Sequence, residues 1–141
     1  MALNTQIADA TVNAQADALA ALCDAGLIKI YSGTQPATAD TALDATPVTG
    51  NILGVTLTFG TTAFGAASSG LIIAEPITAG TAVASITPTF ARIFKADGTT
   101  KVMDVSAGST GCNLTIGAFT EGTIVSATDF RHDVRNSTSG Y

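Results

Sequence analysis

Leu27-Ile28-Lys29-Ile30-Tyr31-Ser32-Gly33-Thr34-Gln35-Pro36 is the stretch at which the chain changes conformational habit. Five residues of strand character, Leu27 to Tyr31, run into a polar loop of small residues that Pro36 stiffens. Upstream the sequence reads as a helix; downstream it reads as strands and turns. That single switch sets the expected class: mainly β, an antiparallel β-sandwich or jelly-roll-like domain preceded by one N-terminal α-helix.

Upstream, residues 5 to 25 carry Ala8, Ala10, Ala14, Ala16, Ala18, Ala20, Ala21 and Ala25, and alanine is the best helix former. Leu3, Ile7, Val12, Leu19, Leu22 and Cys23 spread over one broad face. Gln6, Asp9, Asn13, Asp17 and Asp24 gather on the opposite one. Asn4 or Thr5 can cap the start, and Gly26 suits the left-handed position after the end. An apolar face of this width can meet the protein's own sheet or, in part, a neighbouring subunit.

Downstream, the Ser32 to Gly50 loop is long and polar, with Pro36 and Pro47 fixing its path. Loops of that length in a compact domain commonly make contacts. Ile52 to Phe59 alternates cleanly, with Leu53, Val55, Leu57 and Phe59 on one face. Leu71 to Glu75, Thr81 to Thr87, Thr89 to Ala96 and Thr99 to Val105 follow as short strands. Asp97-Gly98 gives the strongest hairpin signal in the chain. Cys112 to Ala118 and Thr123 to Phe130, with a Glu121-Gly122 turn between them, complete about eight strands at hairpin-like spacing. Residues 1–130 read as one domain and residues 131–141 as a polar tail or arm.

Composition bounds the chemistry. The 141 residues include 25 alanines and 23 threonines, while 12% are charged and tryptophan is absent. Hydroxyls rather than charges should cover such a surface, which suits lasting contacts. The net charge is −5, and the six basic residues are scattered singly. Nucleic-acid binding needs a basic stripe, so no nucleic-acid partner is expected. No apolar run is long enough to span a bilayer, and the chain is expected to stay soluble in the cytoplasm where it is made. Cys23 and Cys112 read as two buried or half-buried thiols, with a disulfide between them the alternative.

Catalysis finds little to work with. His132 is the single histidine and has no nucleophile beside it in sequence. Asp129, His132 and Asp133 fall short of a four-ligand zinc set. Glu75 and Glu121 each stand beside a turn, Asp97 and Asp104 belong to no calcium loop, and Gly108 to Gly111 lacks the lysine of a phosphate-binding loop. No catalytic, metal or cofactor residues are therefore assigned.

Several elements occur together in a recognisable order. They are the alanine-rich helix, Ile30-Tyr31-Ser32-Gly33-Thr34-Gln35-Pro36-Ala37-Thr38-Ala39-Asp40-Thr41-Ala42, and Ala63-Phe64-Gly65-Ala66-Ala67-Ser68-Ser69-Gly70. The hairpin Phe90-Ala91-Arg92-Ile93-Phe94-Lys95-Ala96-Asp97-Gly98-Thr99-Thr100, with Val102-Met103, and then Cys112-Asn113-Leu114-Thr115 complete the set. In these elements the chain resembles a family of small virion structural proteins encoded near the head genes of tailed bacteriophages. It departs from that pattern in Asp44 to Gly50 and after Phe130.

The resemblance implies a non-enzymatic capsid decoration or cement protein, placed on the capsid exterior and assembled in the host cytoplasm. Its partners would be the major capsid protein and copies of itself, with a trimer favoured, and no membrane. A neck, tail, baseplate or fibre component is the alternative structural role, and a carbohydrate-binding adhesion module the alternative class. Candidate intersubunit contacts are Gln35, Pro36, Asp40, Pro47, Arg131, Arg135 and Tyr141.

Overall fold

A computed structural model gives the fold of residues 6–134. It is mainly β with one N-terminal helix, as the helix-to-strand switch at Leu27 requires. The helix α1 runs Asp9–Cys23, shorter than the expected 5–25. It starts after Ala8, whose backbone is extended and which offers no side-chain cap; Asn4 and Thr5 lie outside the described residues. Val12, Ala16, Ala20 and Cys23 form the buried stripe, at spacings of one helical turn. The stripe is narrower than the expected face, because Ile7 and Leu22 remain 48% and 44% exposed. Alanine at 16 and 20 lets the helix lie close over the sheet.

The helix end corrects a second expectation. Ala25, not Gly26, takes the left-handed conformation, with φ 54°. Gly26 is needed for space: a Cβ there would lie 2.2 Å from the Phe94 carbonyl oxygen and 2.8 Å from that of Cys23.

Among the described residues nine strands follow: β1 Leu27–Tyr31, β2 Leu53–Thr58, β3 Leu71–Ile73, β4 Gly80–Thr81, β5 Phe90–Phe94, β6 Lys101–Gly108, β7 Leu114–Thr115, β8 Ile124–Val125 and β9 Asp129–Asp133. Seven form one sheet in the order β2-β1-β5-β6-β7-β9-β3, and β4 pairs with β8 as a small ribbon. All pairs are antiparallel except β6 with β7. Three sequence-based boundaries change. The Cys112 to Ala118 strand shrinks to β7, and the Thr123 to Phe130 strand divides into β8 and β9. Thr81 to Thr87 contributes only the end of β4 and an isolated bridge from Ile86 to Phe119. Residues 131–133, expected in the tail, belong to β9 and pair with β3. Backbone pairing gained there outweighs the polar side chains that suggested a tail, since Arg131 and Asp133 simply face outward.

The sheet rolls over on itself. Phe59, directly after β2, meets Phe130 of β9 with ring centroids 5.8 Å apart, and Phe64 meets the same ring at 5.2 Å. β2 and β9 are five strands apart in the sheet order. In a flat sheet that would be about 24 Å, at ~4.8 Å per strand. Only a curled sheet brings those rings together, and the ends are then stitched by irregular pairing. The amides of Thr58 and Thr78 each donate to the other's carbonyl, Val83 donates to Gly54, and Glu75 donates to Ala63. Inside the roll, Ile28, Ile30, Val55, Leu57, Ile72, Ile93 and Leu114 are fully buried beneath α1.

Three residues expected on the solvent face of α1 instead hold the loop that follows β2. Asn13, Asp17 and Asp24 accept hydrogen bonds from the amides of Gly70, Ala67 and Ala63, at 2.8–2.9 Å. The loop's backbone hydrogen bonds to residues 71–75 do not use these three amides, so they need side-chain acceptors.

The β5–β6 hairpin turns through Ala96 to Thr99, with Gly98 at φ 72°. The Asp97 carboxylate accepts from the Thr99 and Thr100 amides and from the Thr100 hydroxyl. The Thr100 hydroxyl and amide, then the Thr99 amide, hold its pKa down to about 2. A carboxylate depressed in the folded state stabilises the fold above its ordinary pKa, and that support fades as pH falls through the folded value. The stability advantage of the parent over Asp97→Ala should therefore be constant at neutral pH and shrink between about pH 4 and pH 2. Paired thermal melts down this range check it; an advantage independent of pH would rule the network out.

Candidate contact surface

The surface built most deliberately lies on the outer face of β1, β5 and β6. Side chains alternate along a strand, so Ile28, Ile30, Ala91, Ile93 and Val105 turn into the roll, while Tyr31, Phe90, Arg92 and Asp104 turn outward. Yet Phe90 is fully buried, and the side chains of Arg92 and Asp104 are only 1% and 4% exposed. The cover is the long loop between β1 and β2. All five residues of β5 are buried because the strand has core on one face and this loop on the other.

Arg92 organises the cover. Its Nε and Nη2 donate to the two carboxylate oxygens of Asp104 at 2.7 and 2.8 Å, a forked pair across β5 and β6. Nη1 donates to the Thr41 carbonyl at 2.9 Å, and Nη2 also reaches the Thr38 carbonyl at 3.5 Å. The Asp104 hydrogen bond drives the guanidinium pKa above its ordinary value, outweighing burial. Beside this pair, Tyr31 and Phe90 stack with centroids 5.4 Å apart, and burial raises the Tyr31 hydroxyl pKa.

The loop is also fixed at its base. The Asn51 side chain accepts from the Asp44 amide at 2.8 Å and donates to the Thr34 carbonyl at 2.9 Å. The Thr89 hydroxyl donates to the Gly33 carbonyl at 2.6 Å. Asp44 accepts from the hydroxyl and amide of Thr46, which keeps its carboxyl below the usual range. Gln35, Asp40 and Pro47 therefore stand exposed on a tethered loop, and Pro36 is half-buried in it. Val48, at the tip, is 89% exposed with φ 71°, a conformation β-branched residues seldom adopt.

Arg131 lies elsewhere, on β9, exposed and paired with Asp129 at 2.6 Å. The structure thus brings Gln35, Pro36, Asp40 and Pro47 into one loop and leaves Arg131 outside it. Arg135 and Tyr141 lie outside the described residues. Nothing adjacent in sequence marks Arg92 and Asp104 as members of this surface, but their spacing does. They are equidistant from Gly98, so a hairpin centred there sets opposite charges face to face.

The other titratable groups do not assemble into a site. Asp129, Arg131 and Asp133 alternate with Phe130 and His132 along β9, which directs the histidine away from both carboxylates. Burial lowers the His132 pKa, against the opposing pull of Asp133. Burial, with Asp24 adding, pushes the Cys23 thiol up to about 12, and Cys112 is half-buried; both are free thiols. Among the described residues no group of three histidine, cysteine or acidic side chains is placed to hold a metal ion, and no helix is long and apolar enough to cross a membrane. Compared with known protein families, curated proteins and solved structures, the chain matches none.

Proposed function

We propose that the chain is a non-enzymatic structural component of a tailed-bacteriophage virion, a decoration protein that binds the major capsid lattice and copies of itself. The observation that carries this reading is the 34–49 loop, which is exposed along its length and yet anchored at both its base and its middle. A surface ordered before binding loses little entropy when it docks. The loop also carries only two ionisable groups, Asp40 and Asp44, and the second is already engaged by Thr46. Threonine hydroxyls and free backbone groups can then form an interface without burying an unpaired charge. Each contact is modest, and repetition over a symmetric lattice multiplies it.

The order of sequence elements supports the virion assignment, and the loop supports the contact assignment. Copy number in purified particles tests the first: a decoration protein follows the multiplicity of the capsid lattice, whereas a neck, tail or baseplate component keeps the small fixed count of a symmetric connector. The connector count, or absence from particles, would defeat the decoration reading. For the second, Gln35→Glu with Pro47→Glu should lower particle occupancy while leaving the melting temperature unchanged. Full occupancy would remove the loop from the interface.

A further inference from the structure

We propose that residues 34–49 form a strap that opens from the outer face of β1, β5 and β6 as one unit, well below the cost of unfolding the domain. Three observations carry it. First, the ends of the segment lie side by side: a Cβ on Gly33 would fall 2.6 Å from the Gly50 carbonyl oxygen, and the Ser32 amide donates to Ile52 at 3.1 Å. Such a loop can swing without disturbing the strands it joins.

Second, the strap brings no buried side chain of its own. From 34 to 49 only Pro36, Ala39 and Leu43 are even half-buried, and the rest are exposed. It is held instead by hydrogen bonds from sheet side chains to its backbone, principally from Arg92 to Thr41. Segments with few apolar anchors sit at the low end of local stability.

Third, the ion pair stays on the sheet when the strap lifts. Arg92 and Asp104 are on adjacent strands and keep their forked bond, so opening strands no charge. What opening uncovers is the Tyr31–Phe90 stack beside a bound guanidinium. A partner holding the closed strap would suppress that opening by mass action. The inference rests on how the strap is anchored and not on the virion reading.

Native-state hydrogen exchange at increasing sub-denaturing urea tests the proposal on the intact protein. Expected are the strap amides of Thr41 and Thr46, together with the Gly50 and Asn51 amides that donate to the strap carbonyls of Thr46 and Asp44, exchanging through one shared opening with weak urea dependence. The β5 and β6 amides should exchange only through global unfolding. Arg92→Lys keeps a cation beside Asp104 but loses the fork, and should speed strap exchange about ten-fold, as one lost hydrogen bond does. Strap and sheet amides sharing one opening, strap amides exchanging residue by residue, or an unchanged strap in Arg92→Lys would each overturn the proposal. Should Arg92→Lys fail to fold, the two outcomes for the parent protein decide the matter alone.

Discussion

Arg92→Ala should destabilise the domain by about 3–5 kcal/mol, the usual cost of leaving one member of a buried ion pair without its partner. Asp104, its side chain 4% exposed, would keep its charge in a water-poor site, and the Thr41 carbonyl would lose its donor. A domain of this size has only about 5–15 kcal/mol to lose. The melting temperature should fall by on the order of 10 °C. The paired variant Arg92→Met with Asp104→Leu separates the causes. It removes both charges, keeps apolar volume under the strap, and should recover most of the loss, because buried pairs rarely surpass well-packed apolar replacements. If Arg92→Ala unfolds with the parent's midpoint in urea, the pair is not structural. If the double variant is no better than the single one, the stranded charge is not the cause.

Gly26→Ala is the second large effect, and its origin is steric. The new methyl would lie 2.2 Å from the Phe94 carbonyl oxygen and 2.8 Å from that of Cys23. Both are main-chain atoms, so no side chain can rotate to make room. One belongs to the end of α1 and the other to β5, which pairs Phe94 with Leu27. Relief requires parting the helix from the sheet or slipping that register, and the expected cost is about 3 kcal/mol or more, at the upper end for overpacking. Gly117→Ala serves as the control, since a Cβ there meets nothing within 4 Å. It should change stability by less than about 0.5 kcal/mol. Equal urea midpoints for the two variants would refute the close approach.

These two residues show how much of the molecule could be read in advance. β1, β2 and the β5–β6 hairpin were legible because period-two alternation and Asp97-Gly98 are local signals, and local signals survive folding. Gly26 was singled out correctly but for the wrong reason: its neighbour across space, Phe94, is 68 positions away, and nothing local announces it. The acceptors Asn13, Asp17 and Asp24 were read as a wetted helix face for the same reason, since the amides they serve lie 39 to 57 positions downstream. β7, β8 and β4 are two residues each, too short for periodicity to show. The long loop was legible as a contact candidate from its prolines and polarity, while its anchor was not. Arginine in a strand reads as a surface residue until the cover above it is known.

The rolled sheet also governs the order of events by which the molecule forms. β1 cannot complete its pairing until β5 exists, more than sixty residues later, and β3 waits for β9 at the far end of the described chain. Three pairings join strands consecutive in sequence among the described residues, β1 with β2, β5 with β6 and β6 with β7, and of these the β5–β6 hairpin closes through the tight Asp97-Gly98 turn. A topology dominated by such distant pairings folds on the slow side, in milliseconds to seconds. During synthesis α1 and β1 must therefore leave the ribosome without the strands that will flank them. The helix's three acceptors then have a role in time as well as space: they can seize the 63–70 loop as it emerges, holding the first half of the chain together until the hairpin arrives.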